Sequence, residues 1–180
     1  MDWSWKIEYS HKSENILLPK TSIMKFKEVQ KFNQWWLWVL LIGIWLIPVY
    51  GVYKQLIIGQ SFGDKPLSNQ GLITFTIIFF LVIGLFGLIR LKTEIDHSEI
   101  RMSFNPFIKK KIKLKDVKTM EVVNYGFVGG WGIRLWTKYG TVYNIKGNKG
   151  LSITLKNGNK FIIGTQKETE LKSILKTLNL

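Results

Sequence analysis

Residues 32–53, FNQWWLWVLLIGIWLIPVYGVY, and residues 66–89, PLSNQGLITFTIIFFLVIGLFGLI, contain no charged side chain and lie 12 residues apart. The runs are 22 and 24 residues long, and a helix needs about 20 apolar residues to cross a hydrocarbon layer of roughly 30 Å. The pattern predicts a transmembrane helical hairpin, with spans near residues 33–53 and 70–90. Across residues 71–89, 14 of 19 are Leu, Ile, Phe or Val. Those side chains favour insertion by roughly 4–8 kcal/mol. Trp35, Trp36 and Trp38 at one end of the first run, and Tyr50 and Tyr53 at the other, put amphipathic rings at headgroup level. Pro48 is tolerated in a spanning helix at the cost of a kink. A soluble helix of this length would keep a polar face, and neither run has one.

Charge gives the hairpin a direction. The chain carries 26 Lys and Arg against 12 Asp and Glu, a net +14. Six lysines precede the first run, Lys54 and Lys65 bound the connecting loop, and the remaining 18 basic residues follow residue 89. Basic residues near membrane ends stay in the cytoplasm, so the expected topology is multi-pass in the cell membrane with both termini cytoplasmic. The first run begins too late and is too long for a cleaved signal peptide. With no cysteine, disulfides, thiolate catalysis and cysteine-held metals are excluded.

The expected organisation is an N-terminal cytoplasmic or interfacial arm (residues 1–31), the hairpin (32–89) and a cytoplasmic domain (90–180). The arm is too short for its own core. Its Trp3, Trp5, Tyr9, Ile16, Leu17 and Leu18 would lie on the membrane surface or against the domain. Residues 24–32 are expected to form an interfacial helix, because Phe26, Val29 and Phe32 recur every three residues among charged ones.

Beyond Arg90 the apolar period changes to two. Strands are expected at residues 91–96, 99–104, 111–113, 118–124, 133–138, 141–145, 151–156 and 160–164. His97 and Ser98 turn the first pair; Asn157-Gly158, a type I′ signal, turns the last. Thr165 and Glu168 fit a capping box, and Leu171, Ile174, Leu175 and Leu178 make a helical stripe. The expected fold is a membrane helical hairpin plus an α+β domain. That domain is an antiparallel barrel or sandwich of about seven strands, closed by a C-terminal capping helix.

This layout resembles a PH-like domain. Three blocks carry a closer likeness: Gly129-Gly130-Trp131-Gly132-Ile133-Arg134, then Tyr143 to Gly150 (YNIKGNKG), then Ile163-Gly164-Thr165-Gln166-Lys167. They resemble an uncharacterised family of small bacterial membrane proteins in which two spanning helices precede a bacterial PH-like domain. Gly63-Asp64-Lys65-Pro66 and the entry to the first run are also similar. The family tends to have proline early in its final helix, where this chain has Lys167-Glu168-Thr169-Glu170. The resemblance implies a fold and a topology, and no established activity.

Candidate sites follow from glycine and lysine clusters. Gly129, Gly130 and Gly132 bracket Trp131. Either Trp131 with Arg134 meets a partner or lipid headgroups, or the segment is a bulge or turn with Trp131 inside. Gly147, Asn148, Lys149 and Gly150 form an anion cradle or a turn between strands. Lys109, Lys110 and Lys111, followed by Lys113, Lys115 and Lys118, are the densest positive cluster; either this face orients the domain on an anionic leaflet, or it is a solvated loop whose charge follows the topology rule. Arg90 and Lys92 read as snorkelling anchors. Neither uncharged run holds an acidic or basic side chain, which argues against a transport pathway. The glycines Gly43, Gly51, Gly84 and Gly87 would let the helices approach closely. No catalytic or metal constellation is visible, His97 falls in a turn, and no cofactor is expected. Nucleic acid is not needed to account for the charge, which tethering at a membrane already explains. The function read from residues alone is a non-enzymatic, membrane-anchored module for a protein partner or lipid. The alternatives are a self-associating assembly protein and, remotely, an enzyme with an unrecognised site.

Overall fold

The structure, a computed structural model, describes residues 26–178. The arm residues Trp3 to Leu18, and Met24 and Lys25 of the expected interfacial helix, lie outside the described residues. In place of that helix, Phe26–Lys31 forms a strand, β1. Phe26, Glu28 and Gln30 point inward, while Lys27, Val29 and Lys31 are exposed. The three-residue spacing of Phe26, Val29 and Phe32 was misleading, because two inward positions of a period-2 segment are polar.

The chain then runs through two long apolar helices. The first, α1 (Trp35–Val52), continues through Pro48 into a π-helical turn, Tyr53–Ile57. The second is α2, Asn69–Leu88, whose first turn is capped by Ser68 Oγ accepting from Gly71 N at 3.2 Å. Helical lengths of 23 and 20 residues are enough to cross a membrane. Trp45 Nε1 of α1 donates to the Thr76 carbonyl of α2 at 3.2 Å. The four glycines do not share one role. Gly51 faces the Phe62 ring in the loop and Gly87 the Trp38 ring, whereas Gly43 and Gly84 face open space.

Eight strands follow: β2 (Arg90–Ile95), β3 (Glu99–Asn105), β4 (Ile108–Lys113), β5 (Val117–Asn124), β6 (Gly132–Thr137), β7 (Gly140–Asn144), β8 (Lys149–Leu155) and β9 (Lys160–Gly164). Helix α3, Glu168–Thr177, closes the chain. One sheet has the order β1-β2-β3-β4, the other β5-β8-β9-β7-β6. This is an α+β architecture of two open sheets, without a closed barrel. It is also not wholly antiparallel: β9 enters beside β7 in parallel, with Val142 opposite Ile162, and both are fully buried at the sheet's centre.

Lys31 of β1 lies directly opposite Arg90 of β2. The two helices are therefore an insertion within one antiparallel strand pair, and residue 31 is not a domain boundary. The arm's last six described residues belong to the sheet because their backbone groups complete its ladder. The inward faces of both sheets form one core, including Leu91, Ile95, Ile100, Phe104, Leu151, Ile153 and Phe161. Phe32 and Ile89, at the roots of α1 and α2, are buried in the same core, with Leu37 and Phe86 packed against it. Leu171 and Leu175 of α3 are buried there, and Ile174 and Leu178 complete the expected stripe. Each fully buried Leu contributes about 1.5–3 kcal/mol.

Two turn details differ from the sequence reading. Gly158 N donates to Leu155 O at 3.0 Å and Gly158 has φ +87°, while Asn157 does not take a positive φ. This is a type I turn with a left-handed glycine, not type I′. The capping box does not form: Lys167 flanks the helix with no side-chain cap. Thr165 Oγ1 donates instead to the buried Glu28 Oε2 at 2.6 Å, and Glu168 takes ion pairs from Lys149 and Lys172.

Candidate functional site

The register of the four-stranded sheet sets out its outer face in rows, counted away from the helix roots. The first row is Lys31, Arg90 and Asn105; the next outward row is Val29, Lys92, Ser103 and Lys109. Beyond them come Lys27, Glu94, Arg101 and Lys111, and then Glu99 with Lys113. Because strand side chains alternate, the lysine cluster does not make one surface. Lys109, Lys111 and Lys113 face outward, while Lys110 turns inward, its Nζ 4.8 Å from the centroid of Phe161 and 5.1 Å from that of Tyr143.

Acidic residues divide this face. Glu94 takes Lys92 at 2.8 Å, Arg101 at 3.5 Å and Lys27 at 3.9 Å. The hydrogen bond from Lys92 is the main cause that holds its carboxyl below the usual range, with Lys27 and Arg101 adding to it. Arg101 also reaches Glu99 at 2.9 Å and Asp96 at 3.3 Å, and Lys111 reaches Glu99 at 3.1 Å. Asp96 is 1% exposed. Burial pushes its carboxyl up, yet hydrogen bonds from Ser98 N, Glu99 N and Ser98 Oγ, with Arg101 beside it, bring it below its ordinary value. The cations of the third row are thus all ion-paired. Among the described residues Lys31, Arg90 and Lys109 of the near rows have no ion-pair partner, and neither has Lys113 of the last row. A shallow depression of about 420 Å³ joins Lys92, Ser103, Asn105 and Lys109 to Glu94, Arg101 and Lys111.

The glycine-rich segment lies at the same end of the domain. Tyr125 N donates to Asn148 O at 2.9 Å, and Tyr125 and Val128 pack with Val142 and Ile162 on the outer side of the five-stranded sheet. Burial raises the Tyr125 hydroxyl pKa, and Asn144 Nδ2, donating to it at 3.2 Å, partly opposes this. Trp131 is neither a core residue nor a free one. It is 36% exposed and its ring lies 5.7 Å from that of Trp36 in the first turn of α1. Gly130 has φ +109°, and a Cβ there would meet Arg134 Nη2 at 2.7 Å. Arg134 is therefore folded back on this loop and is not part of the lysine array. Gly129 and Gly132 also have positive φ, at 82° and 106°. Phe127, between Gly126 and Gly129, is 89% exposed. Phe107, in the β3–β4 turn, is also exposed, and its ring lies 6.4 Å from that of the inward-facing Phe104.

Residues 145–148 bend into β8, whose first two residues are Lys149 and Gly150. Lys149 is ion-paired with Glu168, whose carboxyl lies below its usual range chiefly through that hydrogen bond and also through Lys172. That pairing leaves Lys149 neutralised and counts against the anion cradle. Asn148 supplies a carbonyl to Tyr125, and Gly150 pairs with Gly164 across β8 and β9. Among the described residues, no group of three or more His, Asp and Glu side chains could hold a metal.

Sequence reasoning passed over Lys31, Phe107 and Phe127 as site residues and treated Arg90 and Lys92 only as anchors. Splitting residues 108–113 by alternation would have separated Lys110 from its neighbours. The link between β1 and β2, which brings Lys31 beside Arg90, has no local signal. Comparison of the chain with family models, with curated proteins and with solved structures finds no match.

Proposed function

We propose that the chain is a membrane-anchored, non-enzymatic interaction module whose PH-like β domain sits at the cytoplasmic face of the membrane. The observation that carries this reading is the insertion of both apolar helices between two paired strands, with their roots inside the domain's core. An anchor built this way holds one end of the two sheets against the bilayer, where a flexible linker would let the domain tumble. The charge distribution supports the direction: the loop between the helices has Lys54, Lys65 and Asp64, against the excess of basic residues outside the hairpin. The module's work is then recognition at the leaflet or of a partner brought to it.

The absence of cysteine makes topology directly measurable. Ser61→Cys, in the helix-connecting loop, should react with an impermeant maleimide in whole cells. Asn157→Cys, in the β8–β9 turn, should react only after lysis. Equal labelling of Asn157→Cys in whole cells would sink the orientation.

A further inference from the structure

The first two outward rows of the four-stranded sheet differ from the next two in a way that matches the expected bilayer position. Successive outward rows are two residues apart, about 7 Å along the strand. The headgroup layer is roughly 5–8 Å deep on each side of the hydrocarbon, and the Debye length is about 8 Å in physiological salt. Arg90 follows the last residue of α2 by two positions, and Lys31 precedes Trp35 by four. The rows of Lys31/Arg90/Asn105 and Lys92/Ser103/Lys109 thus fall within reach of headgroups, and the rows of Arg101/Lys111 and Lys113 fall outside it. The near rows hold no acidic residue, whereas the far rows hold Glu94 and Glu99.

We infer that the near rows bind the phosphate of an anionic phospholipid. The inference rests on the membrane reading above and names its ligand. Lys31, Arg90 and Lys109 have no ion-pair partner among the described residues, and Lys92 shares its ammonium with Glu94. Ser103 Oγ donates to Asn105 Oδ1 at 2.6 Å, which orients the Asn105 amide with its Nδ2 donors available. Phe107, one residue past the cis Asn105–Pro106 peptide, is exposed on the other side of the sheet, its ring 6.4 Å from that of the inward Phe104, and takes no part in the cation array. The place of these rows beside the helix roots fits a lipid better than a soluble phosphate, because the anchor holds their cations at headgroup level.

The test uses the full chain in neutral detergent micelles, titrated with short-chain phosphatidylglycerol, with phosphatidylcholine of the same chain length, and with glycerol phosphate. Phosphatidylglycerol should bind at least tenfold more tightly than the other two. Each basic residue near such a surface is worth about fivefold in affinity. Lys31→Gln with Lys109→Gln should therefore weaken binding by roughly 25-fold. Lys111→Gln with Lys113→Gln should stay within about twofold of the parent. Neither residue of the first pair holds an ion pair, so its loss should leave the melting temperature unchanged, and Arg90→Gln is a second near-row variant. Equal affinity for the two lipids overturns the site, as does an equal loss in the far-row variant. Glycerol phosphate binding as tightly as the lipid would assign the site to a soluble anion and overturn the lipid reading. The micelle assay is blind to sidedness: reversed maleimide labelling with intact lipid selectivity would remove the orientation and leave the site standing.

Discussion

At the scale of single residues, buried polar groups do more than the apolar count reveals. Asp96 closes the β2–β3 turn by accepting from Ser98 N at 2.7 Å, Glu99 N at 2.8 Å and Ser98 Oγ at 2.9 Å. Its carboxyl is depressed in the folded chain. A depressed carboxylate contributes stability above its unfolded pKa, near 3.9, and that stability is lost as pH falls through the folded value. Asp96→Asn should therefore cost about 1–3 kcal/mol at pH 7, with the gap to the parent closing toward pH 3. Denaturant midpoints measured at both pH values check this; a gap independent of pH would contradict it. Trp136 is a residue of another kind. It is 94% exposed, has φ +53°, and is the one non-glycine residue with positive φ among the described residues. It sits in the bulge between Arg134 and Thr137 on the edge strand β6. Burial does not explain its presence there.

At the scale of elements, β1 shows how a polar inner face can be structural. Glu28 accepts from Thr165 Oγ1 at 2.6 Å and from Gln166 N at 2.7 Å, and Gln30 Nε2 donates to Gly164 O at 2.7 Å. These bonds tie the four-stranded sheet to the end of β9, where α3 also packs against β1. Glu28→Ala leaves a buried hydroxyl and a main-chain amide without their acceptor. It should destabilise the protein by roughly 2–4 kcal/mol, with Glu28→Gln costing less because it keeps one oxygen acceptor. Chemical denaturation in detergent reads both values; an Ala variant as stable as the parent would remove Glu28 from this role. The same positions explain why β1 was illegible as a strand. Period-2 apolarity is the usual signal, and here two inward places are occupied by Glu and Gln. In β8 and α3, where the inward residues are apolar, the reading succeeded: Leu151 and Ile153 are buried, and so are Leu171 and Leu175.

At the scale of the whole molecule, the hairpin is an insertion between two paired strands. Lys31 and Arg90 are paired across the sheet, the geometry that a two-residue Asn-Gly turn joins. A chain in which Asn-Gly replaces residues 32–89 should express as a soluble, cooperatively folding domain. It should be less stable than the parent domain, since Phe32 and Ile89 leave the core, and losing a large buried side chain costs about 2–5 kcal/mol. Circular dichroism and a single thermal transition would report folding; a chain that lacks a transition would show that the helices are integral to the fold.

The sequence by itself determined the two apolar helices, most strand positions after Arg90, and the amphipathic C-terminal helix. Each rests on a local period or a local run, and such signals survive without tertiary context. The capping box at Thr165 was misread because Thr165 had a better partner in Glu28, 137 residues away. Tertiary structure alone decided that β1 completes the first sheet, that β9 runs parallel to β7, and that the lysine cluster is divided between two faces. It also brought Lys31, Arg90 and Lys109 to one end. Those placements depend on which backbone edge finds which partner and on where distant carboxylates settle, and neither is encoded within any short window of the chain.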